Sequence, residues 1–187
     1  RNPSADGYYF DGWYKEAACT NAWNFSTDTV TENTTLYANW IVGHTHNNIA
    51  FVAWNESNSL PTEGGYSYYL TNDVTLTEPW NVSVGPIGPC LNGHTIIAAT
   101  GNRAIYITEN GVLNLYDCAG ESAGKITGGS TTGDGGGIYI NGGTFNMYGG
   151  KVTGSSASQS GGGVCIDGGT FNMYGGTITS NTAVNNG

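Results

Sequence analysis

Short runs in the second half of the chain alternate between apolar and polar residues, and this period of two is typical of β-strands. In the run at 144–148, Phe145 and Met147 fall on one side, while Asn146 and Tyr148 fall on the other. The runs are separated by Gly, Asn and Ser, which favour turns. None of them has the length or the 3.6-residue apolar spacing of a helix. The pattern therefore predicts an all-β fold built from short strands.

The alternating runs belong to a sequence unit that occurs twice. One copy begins at Gly135 and the other begins 26 residues later at Gly161, and 15 of the 26 aligned positions are identical. Nine of these identities are consecutive, at 142–150 and again at 168–176. A fixed period of this length is typical of stacked repeats, in which each unit covers the apolar face of its neighbour. We therefore predict a parallel β-helix with three strands in each coil of about 26 residues.

Fainter copies of the unit occur upstream. The run at 113–116 matches 145–148, and the run at 125–128 matches 151–154. The alignment predicts one solenoid over residues 66–187, in which Phe145 lies directly above or below Phe171. It also predicts outward rows of equivalent side chains, formed by Asn114, Asn146 and Asn172, by Tyr116, Tyr148 and Tyr174, and by Tyr106 and Tyr139.

Three strings in this region carry a family resemblance. They are the residues at 91–96, the residues at 114–118 and the repeated Gly-Gly-Thr-Phe-Asn-Met-Tyr-Gly-Gly. The region resembles the right-handed parallel β-helix of the pectate-lyase-like superfamily, and more closely the repeat regions of large secreted or wall-attached bacterial proteins. The resemblance implies a right-handed solenoid, and it specifies architecture without specifying an activity.

The first 41 residues have no 26-residue period and are rich in aromatic residues, at 8–10, 13–14, 23–25 and 35–40. In that order they resemble the Listeria–Bacteroides repeat of internalin-like surface proteins. The resemblance implies a small β-grasp-like module that serves as a spacer or interaction unit on bacterial cell surfaces. The strand region that normally precedes Asn2 is missing, so we expect an N-terminally truncated module at 1–41. We expect a junction and N-terminal cap at 42–65, and a β-helix at 66–187 that is cut before its C-terminal end.

The composition of the chain limits the classes of molecule that it is expected to bind. Charged residues make up 10% of the chain, and the formal net charge is −9 with only five basic residues, which are scattered. Nucleic acids and anionic membrane surfaces both require a basic patch, so we expect neither as a partner. No apolar run approaches the roughly 18 residues of a membrane span, so membrane insertion is not expected. The resemblances imply an extracellular protein, on the bacterial cell surface or secreted.

The acidic residues do not form an evident active site. Catalysis on this fold needs paired carboxylates on adjacent coils, but no two acids share a stacked position in the alignment. The His44-Thr45-His46 spacing alone is a weak metal signal. We therefore expect no catalytic residue, cofactor or metal, and an adhesin-like rod or spacer that binds glycans or host proteins. The alternative is a fragment of a polysaccharide lyase or glycoside hydrolase of the β-helix superfamily.

Two further expectations concern specific side chains. The tyrosines are the predicted contact surface for a ligand, although such stacks also arise from packing alone: Tyr106, Tyr139, Tyr116, Tyr148 and Tyr174. Cys90 and Cys118 lie 28 residues apart, close to one coil, which is consistent with either a disulfide or two buried thiols. An uncapped last coil would also allow end-to-end self-association through its exposed strands.

Overall fold

The computed structural model describes residues 3, 8–47, 49–119 and 123–185. Within these residues the chain is all-β and contains no helix. It divides into two compact units, Arg1–Phe51 and Val52–Gly187, which are called the N-terminal unit and the repeat region below. Asn2, before which a strand region of the resembled repeat is missing, lies outside the described residues.

The N-terminal unit is built on an antiparallel pair of strands, β1 (Tyr8–Tyr14) and β2 (Tyr37–Val42). A bulge between Phe10 and Gly12 interrupts their register. The Phe10 ring packs edge-on against Trp13 at 5.3 Å and against Trp40 at 5.7 Å. A further short strand, β3 (His44–His46), pairs antiparallel with the start of β4 (Ile49–Trp54). Phe10, Trp13 and Trp40 therefore form a small aromatic cluster on this strand pair.

The repeat region begins with residues 52–54 of β4 and contains seventeen further strands among its described residues. They are β5 (Ser67–Leu70), β6 (Val74–Thr75), β7 (Trp80–Val82), β8 (Gly88–Cys90), β9 (Thr95–Ile97), β10 (Ile105–Ile107), β11 (Val112–Leu115), β12 (Lys125–Thr127), β13 (Ser130–Thr131), β14 (Ile138–Asn141), β15 (Thr144–Met147), β16 (Lys151–Thr153), β17 (Ser156–Ala157), β18 (Val164–Asp167), β19 (Thr170–Met173), β20 (Thr177–Thr179) and β21 (Thr182–Ala183).

Every pairing between these strands is parallel. The strand orders are β7-β10-β14-β18, β11-β15-β19, β6-β9-β12-β16-β20 and β13-β17-β21, and residues 52–54 of β4 pair with β5, which pairs with β8. Parallel neighbours need a long connection. Here the chain visits the other sheets before it returns one repeat later.

The register between the two copies is the one that the sequence predicts. Phe145 pairs with Phe171, and their rings stack at 5.0 Å with planes 10° apart. Tyr139 pairs with Cys165, and Ile138 pairs with Val164. The predicted match between the run at 125–127 and the run at 151–153 is also confirmed.

Inward side chains form one continuous apolar core. The alternation places Phe145 and Met147 inside with no exposed surface, and Ile138 and Ile140 likewise. Burial of such side chains stabilises by roughly 1.5–3 kcal/mol each. The core also contains Leu70, Val74, Val82, Ile87, Leu91, Ile96, Ile105, Ile107, Leu113, Leu115, Ile126 and Val152.

The prediction of three strands per repeat is wrong for the regular units, which have four. The fourth strand is only two residues long, at Ser130–Thr131, Ser156–Ala157 and Thr182–Ala183. It has no large apolar side chain, so the alternation of apolar and polar residues does not reveal it. Its inward residue, Ala157, fits a corner where a larger side chain is not needed.

Candidate functional site

The first tyrosine row follows strands β11, β15 and β19, with one tyrosine directly after each strand. The rings of Tyr116 and Tyr148 stack at 4.7 Å with planes 4° apart, and those of Tyr148 and Tyr174 stack at 4.9 Å and 11°. These distances match the spacing of neighbouring strands, about 4.8 Å. The structure therefore brings these three predicted site residues together, and this row is called the tyrosine ladder below.

The ladder becomes more exposed along its length. Tyr116 is 7% exposed, Tyr148 is 37% exposed and Tyr174 is 65% exposed. Stacking covers the ring faces between neighbours, so Tyr148 presents its ring edge and hydroxyl group to solvent. Tyr174 has one ring face without a stacked neighbour among the described aromatic pairs. Within the described part of the chain, the hydroxyl groups of Tyr148 and Tyr174 have no hydrogen-bond partner.

An asparagine row runs beside the ladder on the same outward face. The Asn146 side-chain amide donates to Asn114 Oδ1 at 2.8 Å, and the Asn172 amide donates to Asn146 Oδ1 at the same distance. The side-chain amides of adjacent repeats are thus hydrogen-bonded to one another. The row fixes the register of the strands that carry the tyrosines, as cross-strand pairs do in other sheets.

The second tyrosine row lies on strands β10 and β14. The rings of Tyr106 and Tyr139 stack at 5.6 Å with planes 10° apart. The guanidinium carbon of Arg103 lies 4.4 Å from the centre of the Tyr139 ring and 5.5 Å from that of Tyr106. This cation–π arrangement occupies ring surface that a ligand would otherwise use. The next position in the row is Cys165.

Both hydroxyl groups of the second row are also occupied. Asn141 Nδ2 donates to the Tyr106 hydroxyl at 2.8 Å, and the Tyr139 hydroxyl donates to Asp167 Oδ2 at 2.7 Å. In each case the partner stands two residues beyond the directly paired position in the next repeat. The bond to the Asp167 carboxylate raises the pKa of Tyr139 to about 12, because it favours the protonated phenol. The second row is therefore already engaged within the chain.

The carboxylates around these rows mainly hold turns. Asp117 accepts hydrogen bonds from the backbone of Gly93 at 2.9 Å and of Gly124 at 2.8 Å. Asp73 accepts one from Thr95, and Asp134 accepts one from Ser160, both at 2.8 Å. Asp134 and Asp167 both act on Cys165, whose pKa is raised chiefly by burial and further by these two charges. These acids thus have structural contacts that need no substrate.

Two pairs of side chains have atoms that bind metals. In the N-terminal unit, His44 Nε2 and His46 Nε2 lie 2.9 Å apart as a hydrogen-bonded pair, and burial lowers the pKa of His44. In the repeat region, the sulfur atoms of Cys90 and Cys118 lie 3.6 Å apart. Burial and the neighbouring Cys118 raise the pKa of Cys90. Neither cysteine forms a disulfide bond in the structure.

The aromatic N-terminal strands and the parallel repeats can be compared with known proteins. Residues 1–39 match the Listeria-Bacteroides repeat domain. The resemblance predicted from the aromatic positions of this segment is thus confirmed, and repeats of this kind occur in surface proteins. The match covers the N-terminal part alone, and no family match supports the resemblance of the repeat region to a β-helix family.

Two curated relatives come from Evansella cellulosilytica. One, named "Putative membrane protein", is 50% identical over 38 residues, which are 20% of this chain and 6% of the relative. The other, named "Putative Gly-rich membrane protein", is 32% identical over 92 residues, which are 42% of this chain and 11% of the relative. The matched segments thus span about a tenth or less of these relatives. No solved structure matches the chain. Among the described residues, no helix has the length and apolar character needed to cross a membrane.

Proposed function

We propose that this chain is a non-catalytic segment of an extracellular bacterial surface protein, in which a right-handed parallel β-helix follows a β-grasp-like spacer module. The N-terminal family match and the names of the relatives support a surface location. The parallel pairing at a fixed 26-residue offset supports the solenoid. The rod then holds its outward side chains in fixed rows.

The contact surface that we propose is the exposed end of the tyrosine ladder, formed by Tyr148 and Tyr174. The observation that carries this proposal is that their hydroxyl groups are unoccupied within the described chain, whereas those of Tyr106 and Tyr139 are bonded internally. Tyr174 also offers an open ring face, and aromatic rings with a polar tip suit surfaces that are partly apolar and partly hydroxylated. The net charge of −9 disfavours a polyanion. A neutral glycan fits these properties.

The test is retention on insoluble neutral polysaccharides, with cellulose, chitin and starch as probes. We expect the chain to bind at least one of them and the Tyr148→Ala/Tyr174→Ala double variant to bind at least tenfold more weakly. Tyr66→Ala is the matched control, because Tyr66 is 49% exposed and lies outside both rows. Equal binding by the double variant, or no binding to any probe by the parent chain, would refute the tyrosine ladder as a glycan surface.

The enzymatic alternative rests on the second row, where Asp134 and Asp167 both act on Tyr139 and Cys165. If these carboxylates were catalytic, incubation with the same polysaccharides would release new reducing ends or unsaturated products. Asp134→Asn and Asp167→Asn would then abolish that release. We expect no products from the parent chain, because both carboxylates already accept hydrogen bonds from the protein.

A further inference from the structure

Cys90 and Cys118 are held close together by backbone that has little freedom to move. Cys90 ends strand β8 and is fully buried. It forms a parallel bridge with Tyr116, two residues before Cys118. The backbone N–H of Leu91 donates to the Tyr116 carbonyl at 2.8 Å, and the N–H of Tyr116 donates to the Pro89 carbonyl at the same distance. The first thiol therefore projects from a hydrogen-bonded ladder.

The second thiol lies in a turn that follows strand β11. Asp117, directly before Cys118, accepts hydrogen bonds from the backbone of Gly93 and of Gly124. The Cys118 sulfur also lies 3.4 Å from Asn92 Oδ1. Cys118 itself is exposed to solvent. The pair thus combines one sulfur in the core with one that an ion can reach from outside.

The distance between the sulfur atoms indicates what the pair can bind. They lie 3.6 Å apart, whereas a disulfide bond is about 2.05 Å long. Two thiolates on one tetrahedral zinc ion, each about 2.3 Å from the metal, are separated by about 3.8 Å. The observed spacing is therefore close to that of a chelating pair without movement of the backbone.

We propose that Cys90 and Cys118 bind one thiophilic divalent metal ion, of the zinc type, as a pair of thiolates. Binding replaces the two thiol protons by the ion, so that two protons are released for each ion bound. The sulfur ligands select soft or borderline ions over calcium and magnesium, which prefer oxygen. Because the two residues are 28 positions apart, with Cys90 at the end of β8 and Cys118 in the turn that follows β11, the bound ion would clamp one repeat to the next.

The disulfide predicted from the sequence is the competing state of the same pair. Its formation would remove two electrons and two protons and would need an oxidant. An oxidised pair has no thiolate left to donate to a metal, so the two states exclude one another. The experiment therefore compares the reduced and the oxidised chain.

The metal test uses the whole chain, reduced and freed of metal, and titrates it with Cd²⁺ and Zn²⁺. We expect a thiolate-to-Cd²⁺ charge-transfer absorption that saturates at one ion per chain and is absent after oxidation of the thiols. Cys118→Ser, at an exposed position, should bind at least 100-fold more weakly while keeping the parent's circular dichroism spectrum. Zn²⁺ should raise the unfolding temperature of the parent chain and leave that of Cys118→Ser unchanged.

Matched controls come from the other two cysteines. Cys19→Ser and Cys165→Ser should bind Cd²⁺ as the parent chain does, because Cys19 belongs to the N-terminal unit and Cys165 lies on strand β18. The proposal is overturned if Cys118→Ser binds as tightly as the parent chain. It is also overturned if the reduced chain gives no charge-transfer absorption, for instance because the pair serves only as a disulfide. Neither result depends on whether the chain binds a glycan.

Discussion

The same nine residues occur twice in this protein, and the two copies have different environments. In the first copy, Phe145 and Met147 have no exposed surface; in the second, Phe171 is only partly buried and Met173 is 48% exposed. The first copy pairs with a strand on either side, at β11 and β19, whereas the second pairs with β15 alone among the described residues. An identical sequence thus contributes to the core only as far as neighbouring repeats cover it.

The sharpest way to test this comparison is to truncate the same side chain in each copy. Phe145→Ala should lower the free energy of unfolding by about 3–5 kcal/mol, because it leaves a cavity in a closely packed core. Phe171→Ala should cost only about 1 kcal/mol, because its side chain is already partly solvated. Urea unfolding of the two variants measures both values. Equal losses would contradict the difference in packing.

The register of this comparison was predictable from the sequence because nine consecutive residues recur at a 26-residue offset. The 26-residue offset fixes Phe145 opposite Phe171, and each row of equivalent residues then follows. The fourth strand was not predictable by the same route, because Ser156 and Ala157 carry no apolar alternation. Hydrophobic periodicity detects strands with large inward side chains and misses those that line a narrow corner.

The polar contacts of the second tyrosine row show a second kind of feature that the sequence alignment does not predict. The 26-residue offset places Asp167 beside Asn141, and the two residues are paired in the structure. The offset alone does not reveal the bond from Tyr139 to Asp167. The bond is diagonal, because the tyrosine reaches a residue two positions further along the adjacent strand, as long side chains can do. Diagonal positions would have provided a usable signal. Arg103 gave none, because it lies outside the strands and its contact with Tyr139 depends on the path of a turn.

The asparagine row offers a second comparison, between a residue with row partners in two neighbouring repeats and a residue with a row partner in one. Asn146 both donates to Asn114 and accepts from Asn172, whereas Asn172 is seen only as a donor. At about 1 kcal/mol for each hydrogen bond, Asn146→Ala should cost about 2 kcal/mol and Asn172→Ala about 1 kcal/mol. Thermal or urea unfolding provides the measurement. A larger loss of unfolding free energy in Asn172→Ala than in Asn146→Ala would contradict this pattern of hydrogen bonds.

The bond between Tyr139 and Asp167 predicts a change in titration rather than a large loss of stability. Because it raises the pKa of Tyr139 to about 12, its stabilising contribution is present below about pH 10, the usual tyrosine value. That contribution is lost as the pH rises from about 10 to 12. Asp167→Asn should move the Tyr139 pKa back toward 10.

Ultraviolet difference titration of Asp167→Asn, with Tyr139→Phe used to assign the signal, measures this shift. The parent chain should contain a phenol that ionises near pH 12 and that disappears in Tyr139→Phe. The fully buried Tyr68, whose pKa is also raised by burial, should titrate in the same way in both chains. An unchanged titration in Asp167→Asn would show that the carboxylate does not control this phenol.

The smallest expected effect is weak self-association through the last repeat, which we propose as a consequence of its exposed apolar residues. Ile166 is 52% exposed and lines a cavity of about 430 Å³ together with Phe171 and Ile178. Val184 is 76% exposed. Sedimentation velocity should show dimers at high concentration, and Ile166→Lys should reduce them. A strictly monomeric chain at all concentrations would count against end-to-end pairing.

The register of the stacked repeats is tested most directly by removing residues from the chain in whole and in half units. Deletion of residues 135–160 removes one complete repeat and leaves Asp134 followed by another glycine, Gly161. We predict that this variant still unfolds cooperatively, with a lower free energy of unfolding, whereas deletion of residues 135–147 abolishes the transition. The account would be contradicted if both deletions unfolded the repeat region equally.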